Sequence, residues 1–287
     1  MHSDSAERTT EVDIAIKMLC QWFEPYKNIV VLASGGIDSS LLACIVAKFK
    51  DVKTVMAITA DSPSIPRAEL FQVKEYIQRL GIVHRLVPTE ELENPEYRAN
   101  RGDRCYFCKK ALYHVVDKII SHDEQTVIVD GTNADDLTDH RPSLPASREH
   151  DIKHPFVELG IGKALIREMA KREEIPFWNK PSMACLASRV EEGVEVSGPV
   201  LQMIENAEEV LHNRGFHDIR VRYHESGTIH RLQRIARIEL SAQDVARFIA
   251  EEHHTVIAPQ LLNLGFDHVT LDLEGYKRGG RALKVIS

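Results

Sequence analysis

The sequence has 287 residues, 43% of them hydrophobic, enough to bury a sizeable core in one large domain or two modest ones. Its 36 basic and 43 acidic residues leave a net charge of −7, which offers no electrostatic footprint for nucleic acid, so no such partner is expected. Apolar runs too short for a membrane span, a polar start and five cysteines without an export signal predict a cytoplasmic protein with no membrane partner and no disulfide framework.

In chain order, Val12, Ala15, Ile16, Leu19 and Trp22 are spaced like one face of a helix. Residues 28–33 read as a buried strand, and Leu42, Ile45, Val46 and Phe49 mark a helix over 39–49. A strand is expected at 54–59, a helix from about 67 to 80 stopped by Gly81, and a strand at 84–87. A helix over 105–120 turns Leu112, Val115, Val116, Ile119 and Ile120 inward, and a strand at 126–130 follows it. Residues 163–172 form a helix, and Pro176 and Pro181 break what comes after. Such alternation is the signature of βαβ units, so the fold class is α/β, a parallel sheet flanked by helices.

From about residue 195 the pattern changes to a small α+β unit. Helices are expected at 200–214 and 243–252, the second capped by Ser241 with Asp244, and strands at 219–223, 236–240 and 268–273. The histidines at 253 and 254 are read as ending the second helix on the surface. The division is therefore 1–194 for a nucleotide domain and 195–287 for a substrate-binding or oligomerisation domain.

Between the first strand, which ends at Ala33, and the first sheet helix lies Ser34-Gly35-Gly36-Ile37-Asp38-Ser39. Two glycines let the backbone turn and present its N–H groups, and the following helix N-terminus favours an anion. Ser34 and Ser39 add hydroxyls, and Asp38 is suited to a magnesium ion on a polyphosphate. The lysine-bearing loop of γ-phosphate-transferring enzymes is missing. The stretch resembles the PP-loop ATP pyrophosphatases, with their adenine nucleotide α-hydrolase-like fold, which cleave ATP between the α and β phosphates. Gly131-Thr132-Asn133-Ala134-Asp135-Asp136 follows the strand at 126–130 and resembles the GTN-x-x-D stretch lining the nucleotide site of related synthetases. Gly131, Asn133 and Asp136 join the candidate ATP contacts, with Asp61 on the same sheet edge and Ala60 lending backbone groups to adenine.

Cys105-Tyr106-Phe107-Cys108 opens a helix with two thiols on one face. Cys185 lies in a loop expected to return to the nucleotide. From spacing alone three uses stand open: a [4Fe-4S] cluster with one open iron, a zinc site completed by a histidine such as His114 or His84, or plain and redox-active thiols. Cys20 and Cys44 lie on apolar helix faces and read as core.

SGGIDSS (34–40), RCYFCKKALY (104–113), DGTNADDLTDHRP (130–142), KPSMACLASR (180–189) and LGFDHVTLDLEGYKRGG (264–280), in this order, resemble the LarE family of ATP-dependent sulfur transferases over nearly the whole chain. The resemblance implies a small-molecule substrate, pyridinium-3,5-biscarboxylic acid mononucleotide, whose carboxylates are adenylated and then converted to thiocarboxylates for a nickel-pincer nucleotide cofactor. It implies ATP, Mg2+ and, because Cys105, Cys108 and Cys185 are all present, the branch of the family that holds a [4Fe-4S] cluster; in the other branch the cysteine matching Cys185 gives up its own sulfur. It places Arg189 near pyrophosphate and Arg220, Arg222 and Arg237 on the substrate phosphate, and it implies a homo-oligomer, a hexamer in the family. Lys109 is expected to neutralise charge on phosphate or adenylate, and residues 225–235 read as longer than the family pattern. Two rivals are a PP-loop tRNA thiolation enzyme, disfavoured by the net charge, and an amide-forming ligase of the NAD- or GMP-synthetase kind, which needs no cysteine trio.

Overall fold

The computed structural model describes residues 2–120, 123–137, 144–181, 184–228 and 231–276. It divides into two compact units, one made of Met1–Tyr97 with Gly102–Met183 and the other of Arg98–Arg101 with Ala184–Ser287.

The first unit runs α1 (His2–Phe23), β1 (Asn28–Leu32), α2 (Ile37–Phe49), β2 (Val55–Asp61), α3 (Arg67–Arg79), β3 (Val83–Pro88), the short α4 (Pro95–Ala99) at its border, α5 (Arg104–Ile119), β4 (Thr126–Asp130), α6 (Leu144–Glu149), α7 (Pro155–Glu158) and α8 (Lys163–Arg172). The four strands form a parallel sheet in the order β3-β2-β1-β4. β1 is central and buried on both faces, which its unbroken Ile-Val-Val-Leu run requires. The two faces can be read off its alternation. Ile29 and Val31 pack with Leu19, Leu41, Ile77 and Ile166 on one side, whereas Val30 and Leu32 pack with Leu112, Val116 and Ile128 on the other. Registers Leu32↔Ile58 and Leu32↔Asp130 bring the carboxyl ends of β1, β2 and β4 to one edge, where open α/β sheets bind ligands. The sequence ends the second strand at 59; β2 continues to Asp61, so Ala60 and Asp61 belong to the strand itself.

The second unit contains α9 (Gly198–His212), β5 (Ile219–Thr228), β6 (Arg231–Leu240), α10 (Ala242–Ala250), α11 (His254–Asn263) and β7 (His268–Leu271). Its sheet has the order β5-β6-β7, antiparallel then parallel. The expected border at 194/195 falls too late. Residues 184–194 belong to this unit because Val190 bridges to Tyr223 of β5 and Arg189 pairs with Glu208 of α9.

Two local expectations are corrected. Residues 225–235 are not a long connection: β5 and β6 continue as a hairpin ladder from Ile219↔Leu240 to Thr228↔Arg231, with residues 229–230 outside the described set. The histidines at 253 and 254 do not end a helix. α10 stops at Ala250 and His254 opens α11, while the His253 ring packs edge-on to Phe216 at 5.0 Å. The signal was hidden by Pro259, a residue that argues against a helix interior yet lies inside α11. Among the described residues no helix is long and apolar enough to cross a membrane.

Candidate active site

The turn after β1 is built by its glycines and serines. Ala33 still holds the sheet, donating to Ile58 O at 2.8 Å and accepting from Thr59 Oγ1 at 2.7 Å. Gly35 then takes φ +82°, the left-handed region, and a Cβ there would lie 3.3 Å from Cβ of Val73. The Ser34 N–H donates to Ser39 Oγ at 3.1 Å, and Ser39 Oγ reaches Gly36 O at 3.2 Å, closing the loop on the first turn of α2. No side chain caps α2 at Gly36. Its first N–H groups have no intrahelical acceptor, and together with the helix dipole they suit an anion.

The second expected loop meets the first. Gly131 lies so close to α2 that a Cβ there would stand 2.5 Å from the Ser39 nitrogen. Asn133 points its amide at Asp38 Oδ2 (3.4 Å), and its own backbone N–H donates to Asp136 Oδ2 at 3.1 Å. Both Asn133 and Asp136 are buried. Asp38 is held by a residue that sequence reasoning missed. The Lys163 ammonium lies 2.5 and 2.7 Å from its two oxygens. Burial pushes the Asp38 carboxyl above its ordinary value, and the Lys163 charge works against that rise. Lys163 is itself fixed, because its backbone N–H donates to Asp135 Oδ2 at 2.7 Å. A lysine opening a helix just after Gly162 carried no motif to mark it. On β2, Ala60 is half-buried, and Asp61 is engaged by Arg67 at 2.5 Å.

α5 brings the C-x-x-C pair to the same unit. Cys105 is exposed and Cys108 half-buried, one turn apart at the start of the helix. Lys109 reaches Asp130, the last residue of β4, at 3.5 Å. Asp130 is almost enclosed and also receives His154 Nδ1 at 2.8 Å. Burial opposes its charge, yet Lys109 and His154 hold the carboxyl well below the usual carboxylate range. Sequence reading took Asp130 as a strand end and passed over His154.

In the second unit, Cys185 is half-buried and precedes a single 3-10 turn, Leu186–Arg189. Arg189 is held by contacts within this unit. It is 2% exposed, donates through Nε to Glu208 at 3.0 Å, and turns Nη1 to the carbonyls of Ala184 and Cys185. It is a clamp on the Cys185 loop. Arg222 and Arg237 share one buried carboxylate, Glu239, at 2.9 and 3.0 Å. Arg222 also donates to Ser188 O at 2.9 Å. Arg220 lies over the Tyr276 ring at 4.6 Å and donates to its hydroxyl at 2.9 Å. Burial lowers its pKa, with Tyr276 opposing. The three arginines thus gather on one sheet face, as their registers Arg220↔Glu239 and Arg222↔Arg237 require. Glu239 and Tyr276 were not foreseen.

Among the described residues no group of three or more His, Cys, Asp or Glu side chains is assembled to hold a metal ion. A cavity of about 330 Å³ lies at the amino edge of the parallel sheet, lined among others by Asn28, Lys53, Thr54, Val83 and Thr126. It is at the wrong end of the strands for the chemistry, since the glycine turn, Asp38, Lys163 and Asp130 all sit at the carboxyl edge. Residues 138–142, 182–183 and 277–280 of the motif stretches lie outside the described residues.

An open parallel sheet whose first strand runs through a glycine turn into an uncapped helix defines a PP-loop type of α/β protein. No family model matches the chain. The uncharacterized protein slr1717 of Synechocystis sp. is 36% identical over 92% of this chain and 95% of its own. The uncharacterized protein MJ0830 of Methanocaldococcus jannaschii is 31% identical over 91% and 96%. The pyridinium-3,5-bisthiocarboxylic acid mononucleotide synthase of Lactiplantibacillus plantarum is 28% identical over 88% of each chain. The chain belongs to the family of slr1717 and MJ0830.

Proposed function

We propose that this protein is an ATP-dependent sulfur transferase that adenylates the carboxylates of pyridinium-3,5-biscarboxylic acid mononucleotide and converts them to thiocarboxylates. The observation that carries this reading is the junction of the two loops: the glycine turn into uncapped α2, Asp38 in its first turn, and Gly131 pressed on Ser39. It suits a nucleotide polyphosphate, and the synthase from L. plantarum bears a name for the product of the proposed reaction.

The chemistry follows from a poor electrophile. A carboxylate would have to expel oxide, so one of its oxygens first attacks the α-phosphorus, the α–β bond breaks, and pyrophosphate leaves with the electron pair. An anionic sulfur then attacks the acyl carbon, and AMP leaves with the C–O pair. The loop N–H groups and the hydroxyls of Ser34 and Ser39 hold phosphate; Ala60, Asn133 and Asp136 frame the nucleotide. Asp38 would hold Mg2+, releasing the Lys163 ammonium to a phosphate oxygen. Lys109 faces charge on the adenylate. Arg220, Arg222 and Arg237 take the substrate phosphate. Cys105, Cys108 and Cys185 would be the thiolates to hold a [4Fe-4S] cluster, which would supply sulfide.

The test is pyrophosphate release that depends on the pyridinium mononucleotide. Asp38→Ala is expected to abolish it; undiminished release would remove the glycine turn from the mechanism. Mass spectrometry after turnover is expected to find Cys185 intact, whereas dehydroalanine there would make the cysteine itself the sulfur source.

A further inference from the structure

Asp130 is a buried carboxylate with donors on both oxygens, and the glycine-turn chemistry leaves it unexplained. At 4% exposure it is surrounded by donors. Oδ1 accepts from His154 Nδ1 at 2.8 Å and from the Thr132 N–H at 3.0 Å. Oδ2 faces the Tyr113 hydroxyl at 3.4 Å and the Lys109 ammonium at 3.5 Å. His154 is bound at its far end as well, with Nε2 2.9 Å from Oγ of Ser147. Carboxylate, imidazole and hydroxyl in this order match the connectivity of a hydrolytic triad. Nucleophilic use is ruled out by burial, since Ser147 is 2% exposed and an acyl group has no approach to it. The serine is an anchor, and the working end of the chain is Lys109.

Two placements fix where that end lies. Lys109 directly follows Cys108 in α5, so the chain ties the start of the cysteine helix to the end of β4. The residue after Asp130 is Gly131, which is packed against the Ser39 backbone of the glycine turn. The Lys109 ammonium also lies 5.7 Å from the centre of the Tyr113 ring, a second contact beside Asp130. A lysine on a free four-carbon stem is a mobile point charge. Charge stabilisation is effective when the donor is already in place before charge develops.

We propose that His154 and Asp130 are positioning residues for Lys109: His154, anchored by Ser147, fixes the Asp130 carboxylate, which holds the Lys109 ammonium beside the glycine turn to meet the negative charge of the adenylated substrate. This rests on the sulfur-transfer reading and deepens it. The surroundings keep the pieces in the required form. Burial pushes the Tyr113 phenol up to about 12, so it remains a donor.

The experiment is a double-mutant cycle on pyrophosphate release with the intact protein. His154→Ala is expected to lower kcat by about tenfold to a hundredfold with KM for ATP unchanged. His154→Asn, whose amide reaches where Nδ1 stood, is expected to restore most of the loss. In a Lys109→Ala background His154→Ala is expected to add nothing, because its effect travels through the missing amine. Independent multiplication of the two losses, or an asparagine variant no better than alanine, would overturn the proposal. A second measurement stands apart from turnover. In protein labelled with nitrogen-15 histidine, His154 is expected to give a downfield, slowly exchanging Nδ1–H resonance that Asp130→Asn abolishes. No such resonance in the unmutated protein would overturn the chain itself. Absence of any pyrophosphate release in the unmutated protein, with the resonance present, would instead overturn the sulfur-transfer reading.

Discussion

Asp38, Gly131 and Asp130 each show a residue whose neighbours decide its role. Gly131 is a glycine for steric reasons: a methyl group there would lie 2.5 Å from a backbone nitrogen, and backbone cannot step aside. Gly131→Ala is therefore expected to cost about 1–3 kcal/mol in stability and to abolish ATP binding, checked by thermal unfolding and calorimetric titration. Asp130 makes a pH-dependent statement. Its folded pKa lies below its unfolded one, so its contribution is present above the unfolded value and is lost as pH falls through the folded value. Asp130→Asn is expected to be less stable than the unmutated protein by about 2 kcal/mol near neutrality, with the gap closing once pH drops below about 4. A gap that widened on acidification would contradict the assignment. At this scale the motifs were legible where backbone geometry dictated residue type, as at Gly35 and Gly131. Lys163 and His154 were not, because each acts through a partner far away in sequence, Asp38 and Asp130, and no local pattern encodes such a pairing.

The elements explain why the parallel sheet was easier to read than the second unit. β1 and β4 are short runs of β-branched residues, buried and bounded by polar turns, a pattern with few alternatives. β5 and β6 carry charge along most of their length, with arginines at 220, 222, 231, 234 and 237, so only their apolar inner stretches looked like strand. Their outer halves are held by the cross-strand ladder from Glu225↔Arg234 to Thr228↔Arg231, a long-range fact. Caps are local and were read correctly. Ser241 accepts the Asp244 N–H at 3.1 Å and opens α10. Ser241→Ala is expected to cost about 1 kcal/mol, seen as a lower unfolding midpoint in urea with activity retained. An unchanged midpoint would mean that the cap carries no stability.

For the whole molecule, the decisive features are divided between the two units by sequence position: the glycine turn, Lys109 and the C-x-x-C pair in the first, Cys185 and the arginine face in the second. The proposed sulfur transfer would draw on both. That reaction requires ATP consumption and sulfur incorporation to be coupled, which neither a simple ATPase nor an amide-forming ligase would show. The direct measurement is an anaerobic incubation of the purified protein with ATP, Mg2+ and pyridinium-3,5-biscarboxylic acid mononucleotide, with nucleotides and pyridinium products followed together by mass spectrometry. For the proposed reaction, one AMP and one pyrophosphate are expected for each carboxylate that becomes a thiocarboxylate, with neither formed when the pyridinium compound is left out. AMP accumulating without sulfur in the product, or ATP cleaved to ADP, would contradict it.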